Sequence, residues 1–281
     1  MTPVSTSPLI SVCLGSYNHA KFIGAALDSV LNDTYDNKEI IVADDGSTDG
    51  TADLVGEYVV RHVQSYVPMQ LIRQPHSGAA RTFNAAISLA RGDYLALLAS
   101  DDELVSGGLE VRRSYLASHE EKSVVFGDAH VIDAEGCLTY GSALREVWHT
   151  DPRRYTNEAS LRHEFISRWA MPGSVIMLAR SAIETVGLLD PTLSVEDWDF
   201  CLRAAARGLI GYVDTPVACY RLHGDNSNLS STARLGHLMD LRRTSLKRMG
   251  DFQFRDRLAL LGYTAKCTAS IALEAVKRVI R

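Results

Sequence analysis

The chain has 281 residues, 46% of them apolar and 22% charged, which places it among ordinary globular proteins and excludes disordered or fibrous classes. A formal net charge of −5 gives no general attraction to nucleic acid, yet the balance is uneven. Residues 234–281 carry 11 Lys and Arg against 4 Asp and Glu, so an acidic body is followed by a basic tail. Five scattered cysteines (Cys13, Cys137, Cys201, Cys219 and Cys267) form no Cys-x-x-Cys pair and read as small buried hydrophobes in a reducing compartment. Residues 1–8 lack a hydrophobic signal region, and no apolar run approaches the ~20 residues of a spanning helix. The expectation is a soluble, cytoplasmic protein.

In chain order, residues 9–14 form a first strand that ends at Gly15-Ser16-Tyr17-Asn18. Phe22, Ile23, Ala26, Leu27, Val30 and Leu31 recur at helical spacing. Residues 39–43 are a second apolar run, ending in Asp44-Asp45-Gly46-Ser47-Thr48-Asp49-Gly50, a tight turn that caps a helix carrying Leu54, Val55, Tyr58 and Val59. Residues 69–72 form a short third strand, and a helix with Phe83, Ala86, Ile87 and Ala90 inward stops at Gly92. Residues 93–99 are an apolar run that ends in Ser100-Asp101-Asp102. This βαβαβαβ alternation predicts a parallel, helix-covered sheet. Ser16-Tyr17, Asp44-Asp45 and Asp101-Asp102 must then share the carboxyl edge, where open α/β sheets bind ligands. Adjacent carboxylates repel unless a cation arrives, and a hard divalent ion suits them; the competing role for Asp101 and Asp102 is to start the next helix.

Beyond Asp102 the spacing predicts a helix around residues 109–116. Antiparallel additions to the sheet are expected at 123–126, 129–132 and 137–140, with a helix over 155–169 and a strand over 174–178. Glu196-Asp197-Trp198-Asp199 opens a helix that stops at Gly208; residues 209–220 hold one or two strands leading to His223-Gly224, and from 235 onward the pattern is helical and basic.

In Ser11-Val12-Cys13-Leu14-Gly15-Ser16-Tyr17-Asn18, Ile40-Ile41-Val42-Ala43-Asp44-Asp45-Gly46-Ser47-Thr48-Asp49, Ser100-Asp101-Asp102 and Glu196-Asp197-Trp198-Asp199, followed by Leu202-Arg203 and Gly208, the chain resembles the inverting GT-A glycosyltransferases of family 2 over residues 9–224. Gly15 stands at a frequent Pro, Ala99 at a frequent further acid, and Arg81 is out of register with the family's third-helix Arg. The resemblance implies a GT-A α/β fold (Rossmann-like, a mixed sheet flanked by helices) over residues 1–230, and the helical pattern beyond it reads as an extension over 231–281. It also implies transfer of a sugar from a UDP- or dTDP-sugar to a glycan or lipid-linked acceptor, as in bacterial surface polysaccharide synthesis.

Under that resemblance Asp45 accepts from a pyrimidine N3–H, Tyr17 covers the base, and Gly15 and Ser16 offer backbone groups. Asp101 faces the ribose or a metal-bound water. Asp102 ligates Mg²⁺ or Mn²⁺, with His223 as an extra ligand or else an ordinary loop histidine; a nitrogen ligand favours Mn²⁺. Asp197 is the general base, Glu196 contacts donor or acceptor sugar, and Trp198 either stacks on a sugar or packs in the core. Arg234, Arg242, Arg243, Lys247, Arg248, Arg255 and Arg257 form either a solvated helix face or a patch for anionic lipid at the inner face of the membrane. A homodimer is compatible with the sequence. No Gly-x-Gly-x-x-Gly or Gly-Lys-Ser/Thr is present, which excludes dinucleotide dehydrogenases and P-loop NTPases. The remaining alternative is a degenerate, glycan-binding member of the same fold.

Overall fold

A computed structural model describes residues 7–63, 66–167, 171–224 and 231–280. The first half is β1 (Ile10–Ser16), α1 (Ile23–Leu31), β2 (Lys38–Asp44), α2 (Thr51–Arg61), β3 (Met69–Arg73), α3 (Ala79–Leu89) and β4 (Tyr94–Ala99). The strands pair in parallel in the order β3-β2-β1-β4, with Ser16 opposite Asp44 and Gly15 opposite Ala99. Every residue of β2 is buried, as expected for a strand covered by helices on both faces.

The second half contains β5 (Glu103–Leu104), α4 (Gly108–Ser118), β6 (Val124–Ile132), β7 (Leu138–Tyr140), α5 (Glu158–Ser167), β8 (Ile176–Ala179), α6 (Ser181–Val186), α7 (Glu196–Ala206) and β9 (Ile210–Arg221). Two helices follow, α8 (Ser231–Arg248) and α9 (Phe254–Ile280). The expected helix over 155–169 is a 3-10 turn, Pro152–Tyr155, followed by α5; Trp169 lies outside the described residues. The two short strands expected between 123 and 132 are one strand. It is bent near Asp128, which faces Pro216, a residue with no N–H to give the ladder.

The expected antiparallel additions are present, since β6 pairs antiparallel with both β7 and β8. β8 runs antiparallel to β4 and to β6, but β6 and β9 are parallel, because the chain crosses back through α6 and α7 before entering β9. Hence β1, β2, β4, β6 and β9 all point the same way, and the segment after β9 arrives at the edge that already holds the acidic loops.

Two apolar clusters fill the faces of the sheet. One gathers Ile23, Leu27 and Val55 against β1 and β2. The other joins Phe126, Trp198, Phe200 and Cys201 to Leu241, Phe252, Leu260 and Cys267 from the C-terminal segment. At the entry to β4 the backbones approach closely: a Cβ on Gly92 would lie 2.6 Å from the Ser11 nitrogen and 2.7 Å from the Leu9 carbonyl oxygen. Gly92→Ala is therefore expected to cost about 1–3 kcal/mol in urea unfolding, because main chain must move to admit the methyl group.

Candidate active site

The loops at the carboxyl edge are laced by short polar side chains. Asp44 accepts from the Ser47 nitrogen at 3.0 Å and from the Ser47 and Ser16 hydroxyls at 2.5 and 3.0 Å. Asn18, at φ +53°, donates its backbone N–H to Ser47 and accepts from the Thr48 nitrogen. His19 and Ala20 donate backbone N–H groups to Thr51 and Asp49. The loop after β1 is thus held on the loop after β2, and His19 is carried to the rim.

Asp45 is buried but saturated. Its Oδ1 accepts from the Ser77 nitrogen (2.8 Å), the Ser77 hydroxyl (3.0 Å) and Gln74 Nε2 (3.1 Å). Its Oδ2 accepts from the Gly78 nitrogen (2.9 Å) and lies 2.9 Å from His76 Nδ1. Burial pushes its pKa up, yet these donors outweigh burial and hold it below the ordinary value. The geometry makes Asp45 the builder of the residue 74–78 loop. Above that loop His76 stacks on Tyr17 with ring centroids 4.3 Å apart, and Tyr17 is 42% exposed. A cavity of about 580 Å³ continues from this wall along Arg81 and Asn84 to Pro191. Asn84 bonds the backbone of Leu189 in both directions, tying α3 to the loop that precedes α7.

Asp101 and Asp102 diverge. Asp102 is 2% exposed and turned inward, accepting from the Ser174 hydroxyl at 2.5 Å and the Arg221 nitrogen at 2.9 Å. Burial, and then the neighbouring Asp101 charge, raise its pKa well above the ordinary range. This carboxylate anchors the turn, and its lone pairs face protein donors. Asp101 takes the outward position and is itself largely covered. Its Oδ2 lies 3.1 Å from His223 Nε2 and 3.8 Å from His19 Nε2. Candidate ligand atoms of His19, Asp101 and His223 all lie within 4.8 Å of one another. His19 Nδ1 meets the Ser100 hydroxyl at 2.8 Å, which orients the ring and leaves Nε2 toward Asp101. Two imidazoles and a carboxylate form a donor set suited to a first-row divalent ion, so these residues fit such a cation.

His19 was missed in the sequence, although its place directly after Tyr17-Asn18 on the rim of β1 was a readable signal. Ser174, His76 and Arg221 had no such signal, since only the tertiary fold brings them in.

Glu196 and Asp197 open α7, each partly buried. Burial, followed by the Asp197 charge, pushes Glu196 up to about 8. Burial likewise raises Asp197 to about 6, against the Trp198 N–H that its Oδ1 accepts at 2.7 Å. Trp198 is fully buried, with Nε1 donating to the Phe165 carbonyl at 2.7 Å and its ring against Tyr263. It is a core residue and cannot stack on a sugar, which corrects that expectation. The structure therefore gathers His19, Asp101 and His223 at one place, and Tyr17, His76 and Asp45 at the neighbouring wall. It leaves Asp102 and Trp198 inside.

The basic tail is exposed along much of its length, but several of its cations reach partners in the protein. Arg243, Lys247 and Arg248 reach the Thr192 carbonyl, Asp190 and Asp199, Arg257 donates to the Phe252 and Gly250 carbonyls, and Arg234 pairs with Glu274. Among the described residues no helix is long and apolar enough to cross a membrane.

A parallel first half, a mixed second half and acidic loops along one edge define an open α/β architecture with its loops gathered on one rim. The family model "Glycosyl transferase family 2" matches residues 11–185, and the chain belongs to that family. The chondroitin synthase of Escherichia coli is 27% identical over 224 residues, 79% of this chain but 30% of that protein. The chain spans between 22% and 30% of the length of the chondroitin and hyaluronan synthases it matches. The mannosyltransferase PcManGT of Pyrobaculum calidifontis, solved in complex with GDP-Man and Mn²⁺, superimposes with a TM-score of 0.67 at 18% identity, covering 98% of this chain and 80% of that one. TarS of S. aureus in complex with UDP-GlcNAc gives 0.64 at 14% identity, covering 93% and 72%. The fold is that of the GT-A transferases.

The raised carboxylates at α7 set a pH dependence. Both bind protons in the folded chain above the pH at which an unfolded carboxylate has lost them, so stability falls as pH rises through their folded values. Thermal unfolding is expected to show Tm falling from about pH 5 to about pH 8, with a shallower slope in Glu196→Gln.

Proposed function

We infer that the chain moves a sugar from a nucleotide-diphosphate donor, UDP- or dTDP-linked, to a hydroxyl of a glycan or lipid-linked acceptor, with the aid of a divalent cation. The observation that carries this reading is the convergence of His19, Asp101 and His223 beside the Tyr17–His76 wall. The nucleotide-sugar complexes of the two structural neighbours support it. The metal assignment moves from Asp102 to Asp101, with His223 kept and His19 added. Such an ion supplies Lewis acidity to the departing diphosphate.

The protein's own groups do the rest. Tyr17 and His76 cover the base, while Gly15 and Ser16 present the backbone at the end of β1. Asp45 keeps the 74–78 loop in place by its five donors. Asp197 accepts the proton of the acceptor hydroxyl as that oxygen attacks the anomeric carbon from the side opposite the nucleotide. A pKa of about 6 leaves it ionised at neutral pH and more basic than an ordinary carboxylate. Glu196, raised to about 8, is protonated at neutral pH and can donate a hydrogen bond to a sugar oxygen.

A thermal-shift screen of UDP, dTDP and GDP with and without Mn²⁺ tests the donor and cation together. A uracil or thymine nucleotide should raise Tm with Mn²⁺ by more than either does alone; no cooperativity would sink the reading. Isothermal titration with Mn²⁺ should show Asp101→Asn and His223→Ala weakening binding by about 10- to 100-fold, whereas Asp102→Asn should chiefly lower Tm. Turnover of Asp197→Asn should fall by about 10²- to 10⁴-fold with donor affinity preserved.

Peripheral membrane contact is best supported by α9, where Phe254 (75% exposed), Leu258 and Leu261 form an exposed row beside Arg255. Co-sedimentation with anionic vesicles should be lost in Phe254→Ser/Leu258→Ser; binding unchanged in that variant would remove this support.

A further inference from the structure

We propose that α8 is a positioning clamp for the segment that carries Glu196 and Asp197, so that the C-terminal extension completes the active site without touching substrate. The proposal rests on the assignment of Asp197 as base. Four successive links run from one face of α8 to residues 190–199. The Asp240 carboxylate accepts from the Ser194 nitrogen at 3.1 Å and from its hydroxyl at 2.7 Å. Arg243 donates to the Thr192 carbonyl at 3.3 Å. Lys247 pairs with Asp190, and against the upward push of burial that pair and Thr192 hold Asp190 well below the usual carboxylate range. Arg248 donates Nε and Nη2 to the two oxygens of Asp199 at 2.6 and 3.1 Å.

The spacing 240, 243, 247, 248 is one stripe of a helix, and the partners 194, 192, 190 and 199 bracket the carboxylate pair on both sides. Asp199 is fully buried and also receives Arg203 at 2.9 Å, whose other nitrogens hold the Val186 and Leu188 carbonyls. A buried carboxylate between two guanidiniums fixes the first turn of α7 in direction as well as in place, because bidentate pairing has geometry where a point charge has none. On the opposite side of that turn Tyr263 of α9 packs on Trp198, the residue directly after Asp197. Proton transfer needs the base within hydrogen-bond reach of the hydroxyl, and misplacement by about 1 Å can cost as much as 10²-fold.

The test uses the full chain and compares Arg248→Ala, Asp240→Ala/Lys247→Ala and Asp197→Asn, with Arg242→Ala as a control on the far face. Hydrolysis of UDP-glucose and UDP-GlcNAc with Mn²⁺ reports kcat per molecule competent to bind UDP. Hydrogen exchange reports protection of residues 190–199. Arg248→Ala should lose at least about tenfold in kcat with the UDP dissociation constant within about twofold, and exchange should accelerate in 190–199 while β1 and β4 stay protected. A merely structural contact would lower the competent fraction and leave kcat per competent molecule unchanged. That result, or unchanged exchange in 190–199, overturns the clamp. If Arg248→Ala does not fold, the exposed pair of changes in Asp240→Ala/Lys247→Ala must show the same split, at least about threefold, or the clamp fails. Retained turnover in Asp197→Asn would refute the base assignment alone; the clamp then stands or falls on the Arg248→Ala and exchange values.

Discussion

Arg221 is the constraint on which the rim depends. It is 3% exposed at the end of β9, and its guanidinium donates to the Asp101 carbonyl at 2.7 Å and the Asp133 carbonyl at 3.0 Å and pairs with Glu103. Its backbone nitrogen meets Asp102. A buried guanidinium costs several kcal/mol unless its donors are met, so the arrangement tolerates little drift. The consequence is local and chemical. With the turn after β4 tied to the end of β9, Asp101 and His223 face one another although 122 residues separate them in sequence. The guanidinium lies 5.2 Å over Phe22, which packs against His223, so the histidine is fixed from two sides.

The carboxylates of this edge show how one residue type takes different roles. Asp44 and Asp45 are met by backbone N–H and hydroxyl donors, which build loops. Asp102 is spent inside the turn, and Asp101 is left with imidazole neighbours. Glu196 and Asp197 sit at a helix N-terminus, which favours ionised carboxylates by about 0.3–1 kcal/mol. Burial wins over that field at both, with the Asp197 charge added at Glu196, and Asp197 stands at about 6 and Glu196 at about 8. A carboxylate basic enough to take a proton and one protonated enough to give a hydrogen bond therefore lie side by side.

The first half of the fold was legible because buried parallel strands are continuous apolar runs and each ends in punctuation: Gly15-Ser16, Asp44-Asp45, Asp101-Asp102. The common edge followed from alternation alone. What the sequence could not supply was orientation within a pair. Asp101 and Asp102 are adjacent, and only Ser174 and Arg221, distant in the chain, decide which one faces out. The same holds for Trp198, whose burial depends on Phe165 and on Tyr263 from α9. The parallel pairing of β6 with β9 was hidden because the connection runs through β7, α5, β8, α6 and α7.

The charge of the C-terminal segment acquires a physical meaning in this frame. A surplus of cations at the end of a chain suggests a surface for an anionic partner, but a charge count does not distinguish a solvated face from one turned inward. Here the acids it answers are Asp190 and Asp199, which flank the carboxylates at the start of α7. Isolated surface ion pairs contribute little, about 0–1 kcal/mol. Arg248 with Asp199 is different: the acceptor is fully buried, and because Arg203 reaches only Oδ2, loss of Arg248 takes from the buried Oδ1 its charged donor. An acidic body and a basic tail then belong to one electrostatic unit, in which the tail neutralises the acids beside Glu196 and Asp197 and leaves those two to be governed by burial.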